Sequence, residues 1–436
     1  MLSALVSAFR TPDLRRKILF TLGLIALYRL GAALPSPGVD YRAIRHCVDQ
    51  LSGGENAGIY QLINLFSGGA MLQLSVFAVG IVPYITASII TQLLTVVIPR
   101  FEELRKQGQT GQAAIAQYTR YLSVALAILH ATGLVALAGR GRLLPNCSER
   151  ILADDSIFGM IIIVLVMTAG AALVMWFGEQ ITERGVGNGM SLLIFAGIAA
   201  RIPGEGTAIL DSKGGLIFGL VCFGAFLVIV AVIFVEQGQR RIPVQYAKRV
   251  VGRKMYGGSS TYLPLKVNQA GVIPVIFASS LLYLPNLVSQ LAQHGSSRWQ
   301  ATVQRYLADA SSPVYIAVYF ALILFFTYFY VAITFNPQER ADEMKKFGGF
   351  IPGYRPGAPT ADYLSRVLGR ITLPGSLYLG MVAVLPNVVL GLGATGSAQS
   401  LMFAGSSTLI VVSVGLDTIK QIESQLMSRN YTGFLR

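Results

Sequence analysis

Charged side chains are scarce in this sequence. Only 13% of its 436 residues are Asp, Glu, Lys or Arg, whereas 53% are hydrophobic. A typical soluble domain has about 25% charged residues, so the composition excludes an ordinary water-soluble fold. The apolar residues also lack the alternation that marks transmembrane β-strands, and they gather in continuous blocks. We therefore predict an all-α polytopic membrane protein.

The apolar blocks have the length of helices that cross a bilayer, about 20 residues for ~30 Å of hydrocarbon. The block at 189–200 is short, so protein neighbours would have to shield it. Basic residues at 15–17 precede the first block, as they do in a signal peptide. Because more spans follow, we favour a retained helix. We predict ten transmembrane helices, at residues 18–34, 75–98, 119–138, 157–177, 189–200, 216–235, 271–290, 314–335, 373–391 and 401–419.

Acidic residues are also few, and the basic residues that outnumber them are unevenly placed. The chain has 35 Lys and Arg against 21 Asp and Glu, which gives a net charge of +14. If the N-terminus is cytoplasmic, 25 of the 35 basic residues fall in cytoplasmic segments or at their edges. This asymmetry follows the positive-inside rule and predicts that both termini are cytoplasmic. For any single basic residue, a role in topology alone is the competing interpretation.

Signatures of catalysis are missing as well. The sequence contains no GxxxxGKS phosphate loop, no HExxH metal site and no GxSxG nucleophile motif. Charge within the predicted spans is limited to Arg29 and, near helix ends, Arg120, Glu179 and Asp417. Coupled transporters normally keep an intramembrane carboxylate, and no such relay is evident. We therefore predict a non-enzymatic protein without cofactor or metal, for which a partner must supply any ATP-driven step.

The chain does contain an internal repeat. Residues 80–90 read GIVPYITASII and residues 271–281 read GVIPVIFASSL, with Gly, Pro, Ile, Ala and Ser at matching positions. The copies lie in predicted spans two and seven, so they cross the membrane in opposite directions, as inverted repeats around a central pathway do. We predict two halves, 1–205 with spans one to five and 206–436 with spans six to ten. Two unrelated proline-kinked helices are the alternative.

Several long, irregular motifs are more specific than any apolar pattern. They read LFSGGA (65–70), GIVPYITASIITQLLTVVIP (80–99), GEQITERGVGNGMSLLIFAGI (178–198), EQGQRRIPVQYAKR (236–249), STYLPLKVNQAGVIPVIFASS (260–280) and FNPQERADEMKKFGGFIPGYRPG (335–357). Together they resemble the SecY family, the channel-forming subunits of the general protein translocon. The resemblance covers essentially the whole chain and implies ten helices in two inverted, pseudo-symmetric halves.

That resemblance implies a passive channel in the bacterial plasma membrane. It would translocate unfolded preproteins, receive their signal peptides and release transmembrane segments sideways into membrane lipid. The implied partners are SecE, SecG, the SecA motor and the ribosome, with SecD/SecF and YidC as further candidates. A secondary transporter for a small solute is the main alternative, and a scaffold without a pore is another.

The resemblance also assigns residues to the channel. It implies a mid-membrane ring of apolar side chains, for each of which ordinary helix packing would be the preferred interpretation without the resemblance. Met190 stands where many relatives have a branched aliphatic residue. The resemblance implies a plug at 59–72, for which a re-entrant surface turn is the alternative, and a lateral gate between spans two and seven where polar groups pair weakly. The ring positions are Ile81, Ile85, Met190, Ile194, Ile276 and Ile410; the plug positions are Asn64, Phe66, Ser67, Gly68 and Gly69; the gate positions are Thr86, Ser88, Gln92 and Asn268.

Two long cytoplasmic loops are predicted at 237–266 and 336–370. In the family that this chain resembles, both loops dock the motor and the ribosome, whose RNA phosphates attract Arg and Lys. Arg355 lies in an IPGYRPG stretch that matches the motor-critical arginine of the family, within a turn stiffened by Pro and Gly. The docking candidates are Arg240, Arg241, Arg253, Lys254 and Arg355.

Cysteine is rare, with three residues in the chain. Cys222 falls within span six, where we expect it to pack as a small hydrophobic residue. Cys47 and Cys147 fall in the first and second outer loops, on the oxidising side of the membrane, where disulfides persist. We hypothesise a disulfide between them that braces the outer vestibule. Two unrelated thiols are the alternative.

Overall fold

The structure is a computed structural model that describes residues 9–44, 47, 70, 73–139, 151–152, 156–246, 249–251, 254–256, 260–291, 312–391 and 406–433. The helices within these ranges are α1 Pro12–Ala33, α2 Val82–Val97, α3 Pro99–Lys106, α4 Gln109–Gly139, α5 Ile157–Arg184, α6 Gly189–Ala199, α7 Ile202–Gln237, α8 Ile273–Leu291, α9 Pro313–Thr334, α10 Pro337–Lys346, α11 Ala358–Gly391 and α12 Ser406–Gly433. The strands are β1 Gln239–Tyr246, β2 Arg249–Val251, β3 Lys254–Tyr256, β4 Ser260–Lys266 and β5 Gly349–Phe350.

Each predicted apolar block overlaps one of the helices, and only the short polar helices α3 and α10 lie outside the blocks. Within the described ranges, four helical segments are long and apolar enough to cross a membrane: Gln109–Gly139, Ile157–Arg184, Pro313–Lys346, which comprises α9 and α10, and Ala358–Leu385, which is part of α11. Helices α2 and α3 together make a fifth candidate that is bent by 97°. Helix α7 contains a break at Gly214, whose φ of 80° is not helical. The prediction of a multi-pass helical membrane protein is therefore confirmed.

The chain forms two compact units. The first comprises Met1–Leu220, Ser279–Tyr315 and Val414–Arg436, and the second comprises Val221–Ala278 and Ile316–Ser413. This grouping places two segments from the C-terminal part of the chain with the N-terminal helices. The predicted halves 1–205 and 206–436 follow the sequence repeat and stay a prediction.

In the first unit, helices α4 and α5 pack around a core that also includes residues from the segments flanking α2. A Cβ on Gly170 of α5 would overlap the carbonyl oxygen of Val76, so the backbones approach closely there. Phe77 stacks on Tyr28 with ring centroids 6.1 Å apart and meets the edge of Phe177 at 6.2 Å. Fully buried members of the core include Ile44, Cys47, Leu74, Leu134, Ile163 and Met167.

Two of the charges predicted within spans pair with each other. Arg120 of α4 contacts Glu179 of α5 through Nε and Oε1, 2.8 Å apart. Charges in this setting normally pair because an isolated one is costly in hydrocarbon. Helix α3 carries an exposed ion pair in which the Nζ atom of Lys106 lies 2.8 Å from Oε1 of Glu102.

In the second unit, a three-stranded antiparallel sheet has the order β4-β1-β5. Strand β1 pairs with β4 from Gln239↔Lys266 to Gln245↔Ser260, and with β5 through Gln245↔Phe350 and Tyr246↔Gly349. The sheet thus joins the two predicted cytoplasmic loops, 237–266 and 336–370. Beneath it lies an apolar core that includes Ile242, Leu265, Ile351, Leu364, Val367 and Leu368. Strands β2 and β3 form a separate antiparallel pair.

Candidate functional site

The two copies of the sequence repeat begin their helices in the same way. Gly80 and Gly271, at matching positions, have φ angles of 59° and 62°. Side chains rarely tolerate this left-handed conformation, so glycine is favoured at both positions. Pro83 and Pro274 then lie in the first turns of α2 and α8, where proline costs no helical hydrogen bond.

The first backbone hydrogen bonds of the two helices also correspond. In each copy, the carbonyl oxygen of the residue that follows the glycine accepts hydrogen bonds from two backbone amides, three and four residues further along the chain. The bonds are Tyr84 N to Ile81 O at 3.1 Å, Ile85 N to Ile81 O at 3.2 Å, Val275 N to Val272 O at 3.1 Å and Ile276 N to Val272 O at 3.3 Å. The repeat therefore extends from sequence to backbone conformation, and two unrelated kinked helices explain it less well.

Five of the six predicted ring residues are buried. Ile81 is the N-cap of α2 and Ile85 follows one turn later, while Ile194 lies on α6. These three belong to the first unit, whereas Ile276 on α8 and Ile410 on α12 belong to the second. Burial alone does not separate a ring from ordinary packing, so the ring stays a prediction.

The sixth ring candidate, Met190, is only half-buried and lies at the start of α6. Asn188 caps this helix and accepts hydrogen bonds from the amides of Met190 and Ser191. A Cβ on Gly178 of α5 would overlap the Sδ atom of Met190. The methionine side chain therefore extends over α5, which leaves its contribution to a ring less direct than that of Ile194.

The predicted gate residues make their described hydrogen bonds within their own units. Thr86 is buried on α2 and donates to the carbonyl oxygen of Val82 at 3.0 Å. Ser88 and Gln92 on the same helix are half-buried. A polar contact between α2 and another helix is present at Thr91, which accepts from Thr119 of α4 at 2.9 Å. The assignment of Thr86, Ser88 and Gln92 to a lateral gate stays a prediction.

The fourth gate candidate, Asn268, lies between β4 and α8 and is buried. Its Nδ2 atom donates to Oε1 of Glu236 at 2.6 Å and to the carbonyl oxygen of Gly271 at 3.2 Å. Sequence reasoning missed Glu236, because this residue directly follows the apolar block at 216–235 and reads as the start of a polar loop. Its position next to the end of an apolar span was the one sequence feature that could have indicated a buried carboxylate.

Arg355 lies on a turn whose backbone is held at several points. The amide of Tyr354 donates to the carbonyl oxygen of buried Ile351 at 3.0 Å, and the hydroxyl of buried Thr360 donates to the carbonyl oxygen of Arg355 at 2.8 Å. The ring of Tyr354 packs on Tyr363 with centroids 4.3 Å apart. The side chain of Arg355 is exposed. The hydrogen-bonded backbone of this turn thus presents an exposed cation to solvent.

The other docking candidates lie on or near the sheet. Arg240 and Arg241 are exposed on β1, whose neighbours Ile242 and Val244 are buried. Lys254 begins β3 and pairs with Val251. Arg253 lies outside the described residues, as do the plug candidates Asn64, Phe66, Ser67, Gly68 and Gly69.

The cysteines differ from expectation in two respects. Cys47 is disulfide-bonded and completely buried in the apolar core of the first unit, rather than placed in a polar loop. Cys222 is a free, exposed thiol on α7, so the expectation that it packs within the protein is wrong. Cys147 lies outside the described residues, and its pairing with Cys47 stays a prediction.

Fold and site together define a polytopic α-helical membrane protein with a repeated helix start and a sheet-bearing polar region. The sequence profile of the SecY family matches residues 75–419, and the chain belongs to that family. The protein translocase subunits SecY of Mycobacterium tuberculosis and Mycobacterium leprae are 69% and 68% identical to it over 441 residues, with 100% of both chains covered. The Corynebacterium glutamicum subunit is 59% identical over the same coverage.

Solved structures agree in fold. One described as the structure of a protein conducting channel matches with a TM-score of 0.63 and 17% identity, over 94% of this chain and 92% of that chain. Sec61 in the canine ribosome–channel complex from the endoplasmic reticulum matches with a TM-score of 0.59 and 16% identity, at the same coverage. The predicted fold class is therefore confirmed.

Proposed function

We propose that this chain is the protein-conducting channel of a bacterial plasma membrane. It translocates unfolded polypeptides and releases transmembrane segments sideways into lipid. The observation that carries this proposal is the full-length identity of 69% to protein translocase subunits, on a fold shared with protein-conducting channels. The relatives named above are translocase subunits, and they give no support to the solute-transporter interpretation.

The proposed constriction uses the apolar residues of the repeated helices. Ile85 and Ile276 occupy equivalent positions one turn into α2 and α8, and both are buried. Apolar constrictions exclude water and ions, yet they can yield around an extended chain because no specific bond must break. We propose that Ile81, Ile194, Ile410 and Met190 complete this ring.

The proposed lateral exit depends on weak polar contacts. Hydrogen bonds between membrane helices contribute about 0.6 kcal/mol on average, with a maximum near 2 kcal/mol. Thr86 donates to a carbonyl oxygen of its own helix rather than to another helix, and Ser88 and Gln92 are half-buried. A weak contact between the helices on either side of the gate allows the gate to open for an apolar segment.

Partners supply the energy in this proposal. The sheet β4-β1-β5 joins the two segments that contain the exposed Arg240, Arg241 and Arg355, and these cations are the proposed contacts for the SecA motor or the ribosome. SecE and SecG are the proposed membrane partners, and SecD/SecF and YidC are further candidates. The positive-inside asymmetry supports a cytoplasmic location for this surface and for both termini.

Reconstitution tests the proposal directly. The chain would be purified with SecE and SecG, inserted into proteoliposomes and supplied with SecA, ATP and an unfolded preprotein. We expect protease-protected preprotein to accumulate only when all of these are present. Conditional depletion in cells should block both secretion and the insertion of membrane proteins. Intact secretion and insertion after depletion would contradict the proposal.

A further inference from the structure

A buried carboxylate marks the end of α7 in the second unit. Glu236 is 8% exposed, and its Oε1 atom accepts from Nδ2 of Asn268 at 2.6 Å. A buried carboxylate is costly unless it is hydrogen-bonded, and this contact supplies one such bond. Hydrogen bonds to a charged acceptor are also shorter and stronger than neutral ones.

Asn268 links this carboxylate to the start of α8. The Nδ2 atom of Asn268 donates to Glu236 and also to the carbonyl oxygen of Gly271 at 3.2 Å. A side-chain amide has two donor hydrogens, so one Asn268 can serve both acceptors. Gly271 has the left-handed conformation that directs the chain into α8. The carboxylate, the amide and the turn thus form one continuous chain of contacts.

Helix α11 closes the site from another side. A Cβ on Gly375 would overlap the carbonyl oxygen of Val267, so α11 lies against the backbone next to Asn268. The hydroxyl of Tyr378, one turn further along α11, is also buried. The link between Glu236 and Asn268 is therefore enclosed within the second unit rather than exposed on its surface.

In the first copy of the repeat, different contacts stabilise the corresponding turn at Gly80. The amide of Gly80 donates to the carbonyl oxygen of Phe77 at 2.9 Å, and the Phe77 ring is packed between Tyr28 and Phe177. Aromatic packing anchors the start of α2, whereas a carboxylate–amide bond anchors the start of α8. The polar anchor is thus a property of one copy and not a requirement of the turn itself.

We propose that Glu236 is a positioning residue that holds the start of α8, and with it Ile276, in the closed channel. Ile276 bonds to Val272, the residue directly after Gly271, so displacement of this turn moves the first turn of α8. This inference rests on the proposed channel function. Removal of the carboxylate leaves an Asn268 donor buried without its acceptor, which loosens the turn.

The test compares Glu236→Leu, Glu236→Gln and Asn268→Ala in the complex with SecE and SecG. Hydrogen exchange at the amides of Val275 and Ile276 reports the first turn of α8, and ion leak through proteoliposomes reports channel closure. We expect Glu236→Leu and Asn268→Ala to raise exchange about tenfold, the equivalent of one charge-assisted hydrogen bond, and to increase the leak. Glu236→Gln should raise exchange and leak less than these two variants, because a glutamine oxygen still accepts from Asn268, although without the charge that strengthens the bond.

Ser156→Ala is the matched control, since Ser156 also bonds near a helix start, to the amide of Gly159 in the other unit. It should leave exchange in α8 and the leak unchanged. Parental exchange in both Glu236→Leu and Asn268→Ala would overturn the proposal, as would faster exchange without a leak. Equal damage from Glu236→Gln would overturn it too, because the charge and not the acceptor would then matter. A parental complex that fails to translocate would instead contradict the channel function.

Discussion

The thioether of Met190 occupies the space that a side chain on Gly178 would fill. Helix α6 also approaches α5 at the backbone, because a Cβ on Gly189 would overlap the carbonyl oxygen of Gly178. Gly178 therefore sets where Met190 points. Its effect on a proposed ring member can be tested without changing any ring residue.

We predict that Gly178→Ala displaces the Met190 side chain and makes the channel leak ions. Overpacking of this kind costs about 1–3 kcal/mol, and the flexible methionine favours the lower end. Conductance and thermal unfolding of the reconstituted protein measure the two effects. Gly224→Ala on α7 is the control, since no neighbouring atom lies within 4 Å of an added Cβ there. Equal ion conductance of the Gly178→Ala and Gly224→Ala variants would contradict the place of Met190 in the ring.

Polar substitution in the ring should open the closed channel. We predict that Asn at Ile85, Ile276 or Ile410 increases ion conductance or relaxes signal-peptide selectivity, because a polar group retains water in an apolar constriction. Single-channel conductance and export of a preprotein with a defective signal peptide are the measurements. Ile276→Leu, which keeps volume and polarity, is the control. Unaltered conductance and selectivity in all three Asn variants would remove the ring assignment.

Charge reversal at Arg355 should impair the motor without disturbing the fold. The backbone of the turn is held by Thr360 and by the contacts of Tyr354, so Arg355→Glu changes an exposed charge only. We expect SecA-driven export to fall while copurification with SecE persists. Arg355→Lys, which keeps the charge, should retain more activity. Thr360→Val should weaken export less strongly, through loss of one hydrogen bond of about 1 kcal/mol. Parental export by Arg355→Glu would remove this residue from the docking surface.

We predict that the disulfide partner of Cys47 is Cys147. The chain has three cysteines, and Cys222 is a free thiol. The segments before Cys47 and after Cys147 also meet, since the amide of Asp40 donates to the carbonyl oxygen of Ile151 at 2.9 Å and Val39 bridges to Leu152. A closed loop of about 100 residues corresponds to about 4.7 kcal/mol in the chain-entropy view.

Thiol labelling in denatured protein checks this pairing. Without reductant only Cys222 should react, and reductant should release two further thiols. Cys147→Ser should expose the Cys47 thiol to labelling and lower the unfolding temperature, whereas Cys222→Ser should do neither. Equal labelling of Cys47 with and without reductant in the parental protein would contradict the disulfide.

The sequence predicts the helices of this protein better than it predicts their polar contacts. Blocks of apolar residues have a length fixed by the bilayer, so their positions are readable locally. The bond between Glu236 and Asn268 joins residues on either side of a β-hairpin, and no local pattern reports it. Cys222 was misjudged because an apolar span does not reveal which face is covered by protein. The repeat could be recognised from the sequence because glycine and proline restrict which backbone conformations are favourable at their positions.

The central position of β1 in the sheet has a consequence for biosynthesis. The chain is made from its N-terminus, so β1 and β4 can pair as soon as their hairpin is complete, whereas β5 is synthesised only after α8 and α9. Until then one edge of β1 lacks its partner strand, and open edges invite pairing with other chains. The exposed charges of Arg240 and Arg241 discourage such pairing during this interval. Arg240 and Arg241, which we propose for docking in the mature channel, therefore also place positive charge on the strand whose edge is open in the nascent chain.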